Sequence, residues 1–275
     1  MKSRIIKVHK STFRRLKWNT KCKLCIAISL AGTMIFFIIP YIRVLYYSVI
    51  DNQFRRNFVG LNNYMDTLQN EYFLLALKNS LLLIILCVPV LIVLALIISL
   101  ALSYGMKKLR FTRTAFILPM LLPTASIVLV WQMVFQDTST ALPVYLLFIW
   151  KNIGICIILM TSAFTAIEHE IYEAASLEGT KSLQLHRYIT VPLITPTILF
   201  TILLSIVNSF RVFRESYLFY GENYPPEHSY TLQYYMNNNF LKLDYQALAT
   251  SAVLTSILIF IIVMGGLALQ RRYYK

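Results

Sequence analysis

The feature that most constrains this chain is a series of six long apolar runs, separated by polar or basic segments. A helix needs about 20 apolar residues to cross a bilayer, and each run has roughly that length or more. The runs cover about residues 24–46, 76–104, 115–135, 142–164, 192–212 and 247–269. Hydrophobic residues make up 57% of the chain, against roughly 45–50% in soluble proteins. The sequence therefore predicts an all-α membrane protein with about six transmembrane helices.

The basic residues indicate how these helices are oriented. The formal net charge is +14, which on a soluble chain would favour nucleic-acid binding. Here, 18 of the 26 Lys and Arg residues lie in four segments that six spans put on one side: 1–23, 107–113, 165–190 and 270–275. Cytoplasmic segments near membrane spans are enriched in Lys and Arg. We therefore predict a bacterial cell-membrane protein with both termini cytoplasmic, basic segments attracted to anionic lipid, and no nucleic-acid partner.

The two ends of the chain complete the predicted organisation. The apolar run after the basic residues 1–23 is longer than the core of a secretory signal. We therefore predict an uncleaved cytoplasmic tail at 1–23, a transmembrane domain at 24–269 and a second tail at 270–275. Cys22 and Cys25 form a C-x-x-C without a partner pair, so the sequence predicts neither a metal site nor a disulfide framework.

The segment 165–190 is too charged to cross a membrane. Residues 167–178 have the periodicity of a short amphipathic helix. Gly179 is placed to end this helix, and Thr180 or Ser182 could cap a second helix that leads into the fifth run. The polar face of the first helix is acidic, so an anionic lipid surface would repel it. We therefore predict a cytoplasmic helix–turn–helix that docks on another protein, with Glu173 available to a basic partner residue.

The spacing of residues in this segment resembles the EAA loop of ABC importer permeases. The matching residues are Glu173, Ala174, Ala175, Gly179, Ile189 and Pro192. The resemblance implies a type I ABC importer permease fold in which the segment forms the coupling helix. It also implies an assembly with a second permease subunit, two ATP-binding subunits and an extracytoplasmic solute-binding protein. Closure of the two ATP-binding subunits would then convert the permeases from inward-facing to outward-facing.

Other segments are similar to the sugar-permease branch of the maltose-type family. The similarity covers several short stretches: 58–64, Phe73, Ala76, Leu77, Asn79, Leu118 and Pro119 through Trp131, Trp150, Val212, Phe213, Tyr217, Leu218, 230–232, Phe240, Asp244 and Tyr245. The outer segments 51–73 and 213–246 would then meet the solute-binding protein. Two features depart from the family: residues 220–225 replace a Gly-Gly-Pro turn, and the family's usual aromatic residue is absent at Leu185 and His186 themselves. We expect His186 to be solvated.

The sequence predicts no enzyme site and no cofactor on this chain. It has no glycine-rich phosphate loop with a lysine, so ATP and Mg would bind to the partner ATPase. Three alternatives remain open. The chain could transport another solute class, such as an amino acid, phosphate or glycerol phosphate. It could instead be a membrane sensor or scaffold, or a stand-alone channel or secondary transporter.

Polar residues within the apolar runs are candidates for the solute path, because such groups face a cavity or another helix. Three groups stand out: Ser205, Asn208 and Ser209 on one helical face; Trp131 with Gln132; and Lys151 with Asn152, beside Trp150. Lys151, Arg211 and Arg214 would suit an anionic solute such as a uronate or a phosphate ester. Helix packing, interfacial placement of tryptophan and snorkelling of lysine are the alternative explanations.

Overall fold

The structure is a computed structural model that describes residues 20–104, 110–136, 139–221 and 225–273. Most of the predicted N-terminal tail, Lys107 and Lys108 of the second link, residues 222–224 and the last two residues lie outside these ranges. Helices make up the regular structure of the described residues, apart from one isolated β-bridge between Ile50 and Phe58. The predicted all-α class is confirmed.

The chain divides into two compact units, Met1–Val44 and Leu45–Lys275. The first unit contains α1 (Thr20–Thr33), a π-helical turn (Met34–Ile38) and most of α2 (Ile39–Tyr47). Together these helices supply a candidate span at Ile26–Tyr47, close to the predicted first run. The three segments are continuous, and Pro40 is the second residue of α2.

The second unit contains the remaining helices. They are α3 (Asn62–Gln69), α4 (Glu71–Tyr104), α5 (Arg110–Leu121), α6 (Thr124–Val134), α7 (Leu142–Thr165), α8 (His169–Leu177), α9 (Ser182–Leu185), a π-helical turn (His186–Thr190), α10 (Val191–Ser209), α11 (Phe213–Tyr220), a 3₁₀ turn (Glu227–Ser229), α12 (Leu232–Leu241) and α13 (Tyr245–Tyr273). By length and composition, five helices of the described chain could each cross a membrane, and one bent pair could form a sixth span.

The bent pair is α5 with α6, which together cover the predicted third run, 115–135. The two helices meet at an angle of 106°. Pro123 causes the break, because proline lacks an amide hydrogen and disfavours a helical conformation in the preceding residue, Leu122. Its own backbone is extended, with a ψ of 129°. Pro119, in contrast, is accommodated inside α5. The break places Thr124, the first residue of α6, at a half-buried position.

The core of the second unit is built around α7, which packs against α4, α5 and α10. Leu91 of α4 and Leu147 and Met160 of α7 are fully buried there. Gly154 allows the backbone of α5 to approach α7 closely, because a Cβ at this position would lie 2.0 Å from the carbonyl oxygen of Phe116. This contact sets the separation of α5 and α7 and so positions the break that follows α5.

Helix α12 closes the end of this unit opposite α8, and α4 holds it there. The Nδ2 of Asn79 donates a hydrogen bond to the carbonyl oxygen of Tyr230 at 2.9 Å and a second to that of Glu227. The hydroxyl of Ser80 accepts a hydrogen bond from the backbone N–H of Leu232 at 3.0 Å. The two polar side chains near the start of α4 therefore satisfy the backbone that leads into α12.

Candidate functional site

Two regions of the second unit hold the residues that the sequence selects. The first is the segment 166–190, which joins α7 to α10 and contains α8 and α9. The second is a cavity between α5, α7, α10 and α11. The two regions lie at different levels of the bundle, because α8 follows the last turn of α7 whereas the cavity contacts the middle of that helix.

Helix α8 ends in a Schellman motif. The N–H of Thr180 bonds to the carbonyl oxygen of Ala175 at 3.2 Å, and that of Gly179 bonds to Ser176 at 3.1 Å. Gly179 has a φ of +74°, which confirms the prediction that it ends the first helix. Thr180 has a different role from the predicted one: its hydroxyl donates to Ala175 at 2.7 Å instead of capping the next helix. These bonds rigidly define the turn between α8 and α9.

The residues of the Glu-Ala-Ala triad point in different directions. Ala175 is buried at 5% exposure, whereas Glu173 and Ala174 are exposed. Leu177, one turn further along, is 88% exposed. Leu177 was not predicted as a site residue, although it lies beside the triad on the same short helix. Glu173, Ala174 and Leu177 together form a small surface that we call the α8 face.

Ile189 and Pro192 lie where the link joins α10, and both are half-buried. They therefore contribute to the attachment of the link to the bundle rather than to the α8 face. His186 is also half-buried, in contrast to the solvated position expected of it. Its Nδ1 lies 3.3 Å from the hydroxyl of Thr190, and its ring contacts a cavity of about 380 Å³ beneath α8.

The cavity in the second region has a volume of about 530 Å³. One part of its wall is apolar and the other part is polar or charged. The apolar residues are Met120, Phe148, Ile155, Leu204 and Val212, and the polar ones are Lys151, Asn152, Asn208, Arg211 and Glu215. We call this the polar cavity. Lys151, Asn152 and Asn208, which the sequence selected from two different spans, are thus brought together.

Lys151 is held in place by two oxygen atoms. Its ammonium group donates a hydrogen bond to the hydroxyl of Thr124 at 2.9 Å and forms an ion pair with the carboxylate of Glu215. The side chains of Lys151 and Glu215 are only 20% and 11% exposed. Thr124 is the first residue of α6, immediately after the break, and Glu215 lies on α11. Together, α11 and the break before α6 therefore position the Lys151 ammonium group.

Of the polar residues predicted on α10, one lines the polar cavity and the others form hydrogen bonds within the helix. The Nδ2 of Asn208 donates to the Oδ1 of Asn152 at 3.2 Å, and Asn152 in turn donates to Phe148. Ser205 donates to Thr201 at 2.8 Å and Ser209 donates to Ile206 at 2.6 Å. Both serines are at most 5% exposed and neither contacts the polar cavity. Of the three residues predicted on this face, Asn208 alone lines the cavity.

Trp131 and Gln132 lie outside the polar cavity and connect helices. The indole N–H of Trp131 donates to Pro143 at 2.8 Å, and its ring stacks on Trp150 with centroids 5.5 Å apart. The amide of Gln132 donates to the carbonyl oxygen of Phe219 at 2.7 Å. These bonds hold α6 against α7 and α11, the helix that carries Glu215.

Sequence reasoning missed Glu215. The available clue was that Lys151 is the one basic residue inside the fourth apolar run, and a buried charge requires a partner. Arg211 also lines the cavity, is exposed, and makes no side-chain hydrogen bond or ion pair with any described residue. Arg214 is likewise exposed but does not line the cavity.

The chain is similar in sequence to known membrane transport proteins. Residues 76–273 match the model of a family described as the binding-protein-dependent transport system inner membrane component. An arabinooligosaccharides transport system permease protein, AraP, of Halalkalibacterium halodurans is 27% identical, over 79% of this chain and 77% of that protein. The protein of the same name in Bacillus subtilis is 26% identical, over 85% of this chain and 82% of its own.

The fold is also found among solved structures. A chain of a bacterial alginate ABC transporter, crystallised in complex with an alginate pentasaccharide-bound periplasmic protein, superposes with a TM-score of 0.72. It is 22% identical to this chain, and the match covers 93% of this chain and 96% of the other. The likeness therefore extends over nearly the whole of both chains.

Proposed function

Because the chain belongs to the binding-protein-dependent transport system inner membrane component family, we propose that it is the membrane-spanning permease subunit of an ATP-driven importer for sugars or oligosaccharides. The relatives named above transport arabinooligosaccharides, which favours this solute class. The polar cavity is also chemically suited to a sugar, since a sugar ring has apolar faces and hydrogen-bonding edges. Its volume of about 530 Å³ falls within the usual range of small-molecule sites.

The observation on which the proposal most depends is the α8 face. The α8 face combines the exposed side chains of Leu177 and Glu173, and the acidic residues of α8 would be repelled by anionic lipid. The Schellman turn and the helices on either side fix α8 to both α7 and α10. A protein that binds the α8 face can therefore move two spans of the bundle at once.

We assign the α8 face to an ATP-binding subunit, because the sequence has no phosphate-binding loop of its own. The proposed assembly has a second permease, two ATP-binding subunits that bind ATP and Mg, and an extracytoplasmic solute-binding protein. This arrangement requires α8 and both chain termini to be cytoplasmic, which agrees with the distribution of basic residues. Closure of the ATP-binding subunits would then open the polar cavity to the outer side.

The proposal is tested by Glu173→Lys in the complete assembly reconstituted in liposomes. The substitution replaces a carboxylate of the α8 face, so it should abolish retention of the ATP-binding subunit and ATP-driven uptake, while membrane insertion stays normal. The matched control is Glu170→Lys, on the same helix but outside the Glu-Ala-Ala triad, which should retain both properties. Uptake at the wild-type rate by Glu173→Lys would refute the coupling role. Uptake without ATP would instead identify a channel or secondary transporter.

A further inference from the structure

The charged residues described around the polar cavity do not cancel one another, and positive charge is in excess. Lys151 and Glu215 form an ion pair, so their formal charges cancel. Arg211 is the third charged residue among those described around the cavity, and no described residue neutralises it. Asn152 and Asn208 are neutral. The described wall of the cavity therefore carries a formal charge of one positive unit, contributed by Arg211.

This charge is accessible to a ligand. Arg211 is exposed and lines the polar cavity, so a molecule that enters the cavity can reach its guanidinium group. A guanidinium group presents several N–H donors in a planar arrangement that matches the oxygens of a carboxylate or phosphate. Arg211 thus provides a site for an anion at the wall of the polar cavity.

The hydrogen-bonding capacity that remains beside Arg211 suits hydroxyl groups. An ammonium group has three N–H donors, and Lys151 uses two of them, for Thr124 and Glu215. The third is available to a ligand. Asn208 uses its amide nitrogen for Asn152, and its carbonyl oxygen makes no hydrogen bond with a described residue. One donor and one acceptor are therefore available close to a positive charge.

We propose that the polar cavity binds an acidic sugar, with Arg211 bonded to its carboxylate or phosphate and with Lys151 and Asn208 bonded to neighbouring hydroxyls. The inference rests on the proposed transport function and adds the charge of the solute. Glu215 is a positioning residue in this arrangement, because it holds the Lys151 ammonium at the wall and neutralises it. Arg211 is then the residue that distinguishes an acidic sugar from a neutral one.

The test is equilibrium binding to the purified complete assembly in lipid nanodiscs, measured by calorimetry in the absence of the solute-binding protein. The probes are trigalacturonate, the neutral trisaccharide of galactose, and galactose 6-phosphate. We expect one or both acidic probes to bind at least about tenfold more tightly than the neutral one, as a charge-assisted bond would give. The acidic probe that binds identifies the carboxylate or the phosphate as the recognised group.

Two variants separate the cavity from general surface charge. Arg211→Gln should reduce binding of the acidic probe about tenfold or more and leave binding of the neutral trisaccharide unchanged. Arg214→Gln removes the same charge from an exposed position outside the cavity and should change neither. Equal or tighter binding of the neutral sugar by the wild type, binding of no probe, or equal effects of the two variants would overturn the inference. Failure of the proposed function would instead appear as an absence of ATP-driven sugar uptake in liposomes.

Discussion

The α8 face and the polar cavity are built in opposite ways. The α8 face is formed by residues within a single turn or two of one helix, and backbone bonds between neighbouring residues define it. The polar cavity combines side chains from α5, α7, α10 and α11 and from the link before α11, and the ion pair in its wall joins Lys151 and Glu215 from distant parts of the sequence. The α8 face is open to the solvent, where single charges have small energetic effects. The ion pair is largely buried, where charges have large effects.

Among the predictions, removal of the Glu215 carboxylate should have the largest effect on the free energy of unfolding. Glu215→Ala leaves the Lys151 ammonium without its counter-charge in a largely buried position, which should reduce the free energy of unfolding by about 3–5 kcal/mol. Glu173→Ala on the exposed α8 face should change it by less than about 0.5 kcal/mol. Reversible denaturation of the purified chain in mild detergent measures the free energy of unfolding of both variants.

A double variant tests the same ion pair by replacing both of its residues. Lys151→Met combined with Glu215→Met replaces the ion pair by apolar side chains of similar size, so most of the lost stability should return. If Glu215→Ala were no more destabilising than Glu173→Ala, the ion pair would be effectively solvated. The contrast between a buried ion pair and an exposed α8 face would then be wrong.

The next effect concerns the helix packing on which the polar cavity depends. Gly154→Ala places a methyl group against the backbone carbonyl of Phe116, so α5 and α7 must separate, at a cost of about 1–3 kcal/mol. Gly265→Ala in α13 is a matched control, because its added Cβ would meet no atom within 4 Å. Thermal unfolding should distinguish the two variants. Equal melting temperatures would show that the close approach of α5 and α7 is absent.

The smallest effect is expected in the turn after α8. Gly179→Ala forces an alanine into a left-handed conformation, which costs about 1 kcal/mol. The amide hydrogens of α8 should therefore exchange about fivefold faster, whereas those of α7 should be unaffected. Gly179→Asn should exchange more nearly at the wild-type rate, because asparagine tolerates this conformation. Uniformly faster exchange across the bundle would contradict a local role for the turn.

The difference between local and long-range contacts also explains which parts of the structure could be predicted from the sequence. The apolar runs and Gly179 were sufficient to predict the spans and the end of α8, because apolar length and a helix terminus are properties of neighbouring residues. Asn208 was selected for its place on a polar face, and the structure puts it in the polar cavity. In contrast, the 106° break before α6 could not be predicted from Pro119 and Pro123 alone, since one proline is accommodated in a helix and the other is not.

Glu215 and Arg211 show the limit of sequence reasoning more clearly. Arg211 lies at the end of the fifth apolar run and Glu215 lies just beyond it, where charged residues are ordinary, and nothing in the local pattern separates them from Arg214. Only the packing of α11 against α6 and α7 determines that Glu215 reaches Lys151, that Arg211 lines the polar cavity and that Arg214 does not. The distinction among these three neighbours is a property of the tertiary fold.

Binding of the α8 face to an ATP-hydrolysing subunit can be measured by site-specific photo-crosslinking in the assembled importer. A photoreactive amino acid at Leu177, which is 88% exposed, is compared with one at Leu241 of α12, which is 54% exposed at the opposite end. We expect a crosslink to the ATP-binding subunit from position 177 and none from position 241. Crosslinks from position 177 to lipid alone, or to the solute-binding protein, would contradict this expectation.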